Sequence, residues 1–591
     1  MRITKLGRTA AASVAAMSLA ALTISGTVLP ADAAGKVGEA QSQPAKKAKT
    51  VEMQLLALND FHGNLEAPGG SGGRITTNAA GETVDAGGSA YLATALEELR
   101  AEQRKKNTIT VAAGDLIGAS PLLSAAFHDE PAIESLNLAG LDYASVGNHE
   151  FDEGADELLR IQNGGCHPED GCADGTPYDG ADFQYLSANA FLTETGEPLM
   201  APYAVDNVQG VKVGFIGMTL EGTKDIVSQE GVAGLEFADE VATANRYAAE
   251  LQAKGVETII VLLHEGGYQT GVDKWNVNAC SDLAGPIVDI ANGMDDAIDV
   301  VVSGHTHSAY NCEIDNKLVT SASSFGRLVT DIDLTLDKRT GDVLTAAAEN
   351  VVVTRDKVEN QSQLDLIAHY REALGPIANQ VVGHATEDIG RTRQALFGSY
   401  TGDSPLGNLI ADAQLAATDD EYGAVAAFMN PGGVRADLLA GEITYEEAFT
   451  IQPFTNNLVT MDLTGEQLYC MLEQQFVRGT VLQPSATVSY AVDPNGTPAV
   501  AGGDPCSGTV VVDGSLYLGD TQVVDGDTYR ITVNNFLAGG GDGFSTLTGG
   551  TNRVTGAIDL DAFTAYLTAN DPVSAPTADR ITVADAAANA A

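Results

Sequence analysis

The chain has 591 residues, too many for one hydrophobic core, so two or more domains are expected. Its 32 Lys and Arg against 80 Asp and Glu leave a formal charge of −48. Such a surface repels phosphate backbones and anionic membranes, which argues against a nucleic-acid scaffold protein. A small anionic substrate stays open if a local positive charge recruits it, and metal ions supply that better than scattered lysines.

Taken from the start, Arg2, Lys5 and Arg8 precede an alanine-rich apolar stretch from Ala10 to Leu29. Ala31-Asp32-Ala33 then offers an A-x-A cleavage site, so residues 1–33 read as an export signal. An uncleaved anchor is the competing reading, because the stretch nearly spans a bilayer; its small residues and cleavage site favour removal. Residues 34–50 form a polar, lysine-bearing linker, expected to be disordered. The expectation is a secreted protein with no stable membrane insertion. Six cysteines suit that compartment, and fifteen pairings are formally open. Pairing in order, Cys166 with Cys172, Cys280 with Cys312 and Cys470 with Cys506, keeps each bridge within one domain. A zinc site through these cysteines fits less well, since no spacing among them matches a common zinc motif.

From Val51 to about Thr345 the pattern alternates between strand and helix. The runs MQLLALND, TITVAAGD, YASVGNHE, VKVGFIGMT, TIIVLLHEG and DVVVSGHTH are short, apolar and end in glycine or polar residues. Helical stretches such as AYLATALEELRAEQ and DEVATANRYAAELQAKG lie between several of them. This is α/β organisation with strands buried on both faces. The stretch DKVENQSQLDLIAHYREAL, Asp356 to Leu374, reads as a helix bridging two domains, within a linker at 351–380. Beyond Val381, helices at SPLGNLIADAQLAA and TGEQLYCMLEQQF are followed by shorter strands and many glycines, making a second domain over 381–585.

Five of the six runs end in ligand-type residues. They deliver Asp60 and His62, then Asp115, then Asn148 and His149, then His264, then His305 and His307. Carboxylate, imidazole and amide oxygen together suit borderline divalent ions such as zinc or manganese. Each short motif alone is weak. Five in order, each where a strand ends, are not, because open α/β sheets place their sites at that edge.

The order DxH, GD, GNHE, H, GHxH resembles the calcineurin-like dinuclear metallophosphoesterases. The resemblance implies a β-sandwich flanked by helices over residues 51–350, holding two divalent ions. Asp115 would bridge them, with Asp60, His62 and His307 completing one site and Asn148, His264 and His305 the other. His149 and Asp152 would be catalytic rather than ligands, with Asp152 orienting His149 and keeping it protonated over the phosphoryl group. Glu150 reads as a structural hydrogen-bonding residue.

The later stretches GRTRQALFGSYTGDSPLGNLIADA, FMNPGGVRADL, IQPFTNN and NNFLAGGGDGF resemble the C-terminal domain of the 5′-nucleotidases. That likeness implies an α+β nucleotide-binding domain and extends the resemblance over roughly residues 50 to 575. Phe454 and Phe536 would sandwich the base and Asp542 would accept from the ribose hydroxyls. Asn430 would bond the base, Gly432 and Gly433 would let backbone approach the ligand, and Arg391, Arg393 and Arg435 would hold negative charge. The run QALFGSYTGD departs from the family's commoner spacing, so Arg391 and Arg393 are both carried as candidates. The implied reaction is hydrolysis of nucleoside 5′-monophosphates by a metal-activated water. Nucleoside di- and triphosphates, NAD and UDP-sugars are further substrates among relatives. A 2′,3′-cyclic-nucleotide 2′-phosphodiesterase/3′-nucleotidase is the alternative. The implied partner is a nucleotide, not a nucleic-acid polymer, and the chain a monomer or weak oligomer. Domain rotation is implied, with 356–374 as the hinge region.

Overall fold

The structure is a computed structural model that describes residues 49–102, 107–227, 231–454, 456–500, 504 and 506–584. The export signal and nearly all of the linker expected at 34–50 lie outside those residues. Six apolar runs form the strands β1 (Thr50–Leu58), β2 (Thr108–Ala113), β3 (Tyr143–Ser145), β4 (Val211–Thr219), β5 (Thr258–His264) and β6 (Val300–Ser303).

They divide between two six-stranded sheets. In the first, β1, β2, β3 and Gln184–Leu186 run parallel, and Leu328–Asp337 and Val343–Val352 add an antiparallel edge. In the second, β4, β5, β6 and Lys317–Ala322 run parallel between antiparallel outer strands. The pleat assigns the faces, since alternate side chains point opposite ways. Met53, Leu55, Ala57, Val111, Ile260, Leu262, Val300 and Val302 form one buried layer between the sheets. Leu56 and Leu58 instead meet the helices Ser89–Glu102 and Glu130–Ala139. Ile259, Val261 and Leu263 meet Glu240–Ala253 and Pro286–Gly293. With each Val, Leu, Ile or Met side chain among them contributing about 1.5–3 kcal/mol on burial, a one-residue slip of either sheet is heavily disfavoured. The register aligns the strand ends: Leu58 lies opposite Ala112, Ala113 opposite Ser145, and Leu263 opposite Ser303.

The bridging helix α1 runs Gln361–Ala378, starting later than Asp356 because Asn360 caps it. The Asn360 side chain accepts from the backbone N–H groups of Ser362 and Gln363 at 3.0 and 3.3 Å. Beyond it, a five-stranded sheet is built from Gln483–Pro484, Ala426–Met429, Thr528–Asn534, Asn457–Thr464 and Thr551–Ile558, in that order. Helices Pro405–Ala416 and Asp559–Ala569 help cover one face, and Gly465–Arg478 covers the other. The lobes share a cluster, because Leu65, Leu122, Leu123 and Phe127 of the first pack with Tyr370 and Leu374 of α1 and with the second lobe. Three disulfides join Cys166 to Cys172, Cys280 to Cys312 and Cys470 to Cys506, the pairing in order. Among the described residues no helix is long and apolar enough to cross a membrane.

Candidate metal centre and substrate cleft

The loops leaving β1, β2 and β6 have to turn sharply while aiming side-chain atoms at one point. Their backbone records it: Asp60, Asp115, His305 and His307 have φ of 51°, 50°, 69° and 52°, and His62 has 47°. Non-glycine residues rarely enter this left-handed region, and they concentrate where surrounding structure over-determines them. Gly147 serves closeness instead, since a Cβ there would collide with the Asp115 carboxylate and backbone N–H.

Two ligand groups result, Asp60 with His62 and His307, and Asp115 with His264 and His305. His62 Nδ1 donates to the Gly118 carbonyl and His264 Nδ1 to the Ala113 carbonyl, both at 2.8 Å. In its neutral form each ring therefore presents a bare Nε2 lone pair to the interior. His62 Nε2 lies 3.1 Å from His307 Nε2 and 3.6 Å from Asp115 Oδ2. His264 Nε2 lies 3.0 Å from Asp115 Oδ2 and 3.2 Å from Asn148 Oδ1, which is itself 3.0 Å from His305 Nδ1. His307 Nε2 is 3.3 Å from Asp60 Oδ1.

Such convergence of acceptors, nearly all buried, is repulsive unless protons or cations fill it. Burial pushes both His62 and His305 down to about 4. His264 rises to about 9, since Asp115 outweighs burial. Burial also favours neutral Asp60 and Asp115, yet His307 beside the first and His264 beside the second hold them below the usual carboxylate range. Divalent ions would replace the protons this arrangement otherwise demands, and the donor set fits them. Asp115 reaches into both groups, and Asn148 joins the second.

His149 stands beside the ligands. Its Nδ1 is 2.6 Å from Asp152 Oδ2, and its backbone N–H donates to Asp115 Oδ1 at 3.0 Å. Burial opposes its charge, but Asp152 prevails and lifts it to about 10. Glu150 has a different task. It is buried and accepts from the backbone N–H groups of Asp115, Leu116 and Gly147, tying two strand-end loops together. Burial, then Asp115, raises it to about 7.

Three supporting residues escape sequence reasoning. Asn59 donates to Asp60 Oδ2 and to the Ser323 carbonyl, and accepts from Ala322 N–H at 2.7 Å. Phe325 sets its ring edge-on to His62 and His307, with centroids 5.9 and 5.3 Å away. Asp129 accepts from Gly118 N–H at 2.9 Å, steadying the carbonyl that orients His62. Asn59 adjoins the DxH motif and could have been suspected; Phe325 and Asp129 carry no local signal.

The second lobe closes over this centre. Asn430, Gly432, Gly433, Phe454, Phe536 and Asp542 line one cavity of about 770 Å³ together with Asn148, His149, Asp152 and His305. Asn430 Nδ2 donates to Asp542 Oδ2 at 3.2 Å and Asn430 Oδ1 accepts from Asn534 at 2.9 Å. Gly433 is small chiefly for packing, because a Cβ there would strike Met429; one at Gly432 would meet only Asn430 at 3.6 Å. The arginines are placed elsewhere. Arg391 and Arg393 line a neighbouring cavity of about 770 Å³ that shares Gly432 and Asp542. Asp437 accepts from the Arg391 backbone N–H at 2.7 Å. Arg435 lines neither cavity; it donates to the Gly432 carbonyl at 3.1 Å and lies 5.7 Å over the Phe454 ring.

A helix-flanked β-sandwich whose strand ends converge two ligand groups beside a His–Asp pair defines the class of metallophosphoesterase hydrolases. Residues 53–309 match the model of the calcineurin-like phosphoesterases, and residues 381–549 that of the 5′-nucleotidase C-terminal domain. The chain is 36% identical over 572 residues to Endonuclease YhcR of Bacillus subtilis, covering 93% of this chain and 43% of that protein. It is 31% identical over 548 residues to Cell wall protein Lmo0130 of Listeria monocytogenes, covering 88% of this chain and 67% of that one. The chain thus spans less than half the length of the first relative and about two thirds of the second. A 5′-nucleotidase precursor from Thermus thermophilus superposes with a TM-score of 0.62 at 27% identity, covering 90% of this chain and 99% of that one. The chain belongs to the 5′-nucleotidase family.

Proposed function

We propose that this protein is an exported hydrolase that converts nucleoside 5′-monophosphates to nucleoside and phosphate. The observation that carries this reading is the shared cavity, with Asn148, His305, His149 and Asp152 on one wall and two aromatic rings with Asn430 and Asp542 on the other. Asp60, His62 and His307 would hold one cation, and Asn148, His264 and His305 a second, with Asp115 between them. Bound there, two divalent ions would offset phosphoryl charge and render a water nucleophilic at neutral pH.

The chain's own groups do the rest. Asp152 keeps the proton on His149 Nδ1, leaving the opposite edge of the ring to donate to a phosphoryl oxygen as charge develops there. Phe454 and Phe536 stack on the base, a contact every base offers, and Asp542 accepts from ribose hydroxyls. Arg391 and Arg393 would hold further negative charge in the neighbouring cavity, and Arg435 steadies Phe454. With the lobes closed, the substrate is shielded from water. Rotation must unpack the shared cluster around Phe127 and Tyr370, and α1 is fastened to the first lobe, where Ser135 and Gln363 exchange hydrogen bonds of 2.7 and 2.8 Å. These contacts favour bending at the ends of α1 over bending within it.

The test is phosphate release from 5′-AMP, 3′-AMP, cyclic 2′,3′-AMP and single-stranded DNA with added manganese. Preference for 5′-AMP is expected. Faster turnover of the cyclic or 3′ ester would replace this reading with the phosphodiesterase/3′-nucleotidase one, and cleavage of the polymer with the activity named for the Bacillus relative. Export is tested separately, by recovering from the culture medium a chain whose N-terminus follows Ala33.

A further inference from the structure

Four of the nine histidines lie outside the centre just described: His128, His167, His369 and His384. His369 and His384 each face one carboxylate, Asp174 and Asp571. The other two meet each other. The rings of His128 and His167 lie face to face, centroids 3.8 Å apart and planes 11° apart, with side chains only 18% and 15% exposed. Carboxylates occupy both ends of the His128 ring, Glu153 Oε2 at 2.7 Å from Nδ1 and Asp170 Oδ2 at 3.0 Å from Nε2. The same Asp170 oxygen is 3.6 Å from His167 Nδ1.

Two imidazoles and a carboxylate are the donor set of a borderline divalent ion, and Glu153 behind His128 is the second carboxylate that fixes a ligating ring's tautomer. Ligands about 2.0–2.1 Å from a tetrahedral ion stand about 3.3 Å apart. The two measured separations from Asp170, 3.0 and 3.6 Å, bracket that value. Both sides of the cluster are rigid. His167 and Asp170 belong to the loop CHPEDGC, closed by the Cys166–Cys172 disulfide and by paired backbone hydrogen bonds between His167 and Gly171 of 3.1 and 2.9 Å. His128 sits at a φ of 50°, next to Asp129 at 58°, whose carboxylate is held by Ser124 Oγ at 2.5 Å and Gly118 N–H at 2.9 Å.

We infer that His128, His167 and Asp170, supported by Glu153, form a third cation site of the zinc class, separate from the catalytic pair. On binding, His128 keeps its Nδ1 proton directed at Glu153, releases the Nε2 proton to solvent and turns that lone pair to the ion; His167 Nδ1 exchanges the Asp170 backbone N–H it accepts at 3.2 Å for the ion, and the two rings open from their stack. The ion would clamp the disulfide loop to the cleft wall, since His128, Asp129 and Glu153 line the cavity that also contains His149. No ligand of the catalytic centre is shared, so the inference stands apart from the choice of substrate. The rival arrangement is a purely ionic clasp, with charged His128 held between Glu153 and Asp170.

The test is metal stoichiometry of the full chain after equilibration with limiting free zinc, read by elemental mass spectrometry. Three ions per chain are expected for the wild type, two for Asp170→Ala and two for His167→Ala. His384→Ala, which removes an exposed histidine, should stay at three. A cobalt(II) titration followed by visible absorption should show a third step that both cluster variants lose. Phosphate release within a few-fold of wild type would show that the catalytic pair and the fold survive. Equal stoichiometry in wild type and both variants would overturn the site and leave the ionic clasp.

Discussion

The two lobes meet at one cleft but hold their functional groups in opposite ways. In the first lobe the candidate ligand atoms stand on strand ends, and every candidate except the partly exposed His305 and His307 is buried. Their positions are cross-checked by Glu150, Asn59 and two backbone carbonyls. In the second lobe Phe536 is 38% exposed, and Asp542 lies in a single 3-10 turn at φ 55°. Buried amide and carboxyl atoms without a partner, among the described residues, fall only in the second lobe, including both polar atoms of Gln452 beside Pro453-Phe454 and Asn535 Oδ1 beside Phe536. A centre that must hold charge at fixed distances tolerates no slack, because electrostatic stabilisation depends on groups already in place. A base-stacking surface tolerates more, because ring faces attract over a range of offsets.

The contrast orders the expected effects of substitution. Asp115→Asn or Asn148→Ala should reduce turnover to background even at saturating metal, with a lowered metal content; near-wild-type rates would remove them from the ligand set. His149→Ala should lower kcat by about 10²–10⁴-fold while bound metal stays constant, because it takes away proton donation and no ligand. Loss of metal in that variant would blur the line between ligand and acid. Phe454→Ala or Phe536→Ala should each raise KM for 5′-AMP about tenfold, in keeping with about 1–3 kcal/mol per stacked base, with a smaller change in kcat. An equal loss of kcat alone would mean that the second lobe is as tightly coupled to chemistry as the first.

The last effect concerns stability rather than turnover. Asp559 is buried with Oδ1 unpartnered, and burial lifts its carboxyl to about 7. A raised acid pKa means the folded state binds the proton more tightly than the unfolded chain, so stability falls as pH climbs from about 4 to 7 and then levels. Asp559→Asn should therefore gain on the order of 2–4 kcal/mol over wild type at pH 8, and that gain should vanish near pH 4. Parallel stability–pH curves for the two proteins would mean that the site is better solvated than its burial implies.

Much of this was legible in residue order. All six apolar runs are strands, and the helices expected at AYLATALEELRAEQ, DEVATANRYAAELQAKG, SPLGNLIADAQLAA and TGEQLYCMLEQQF form within a few residues of those bounds. Hydrophobic periodicity reports burial directly, which is why these elements are readable. α1 starts later than Asp356 although the segment from Asp356 to Glu359 has helix-compatible composition, and only the Asn360 cap sets the start. Where the arginines point is not legible in residue order. Long flexible side chains take their direction from neighbours such as the Val434 carbonyl beside Arg391 and the Phe454 ring beside Arg435, which residue order does not supply.

By itself the sequence determined which atoms could bind metal and that strand ends would carry them, since ligand chemistry and strand periodicity are properties of residue type and spacing. Tertiary structure alone decided that His62 Nε2 faces His307 across 3.1 Å, that Glu150 ties two loops, and that His128 meets a disulfide loop 39 residues further on at His167. Those contacts join residues distant along the chain, and their geometry follows from sheet register and packing, which act over the whole fold at once.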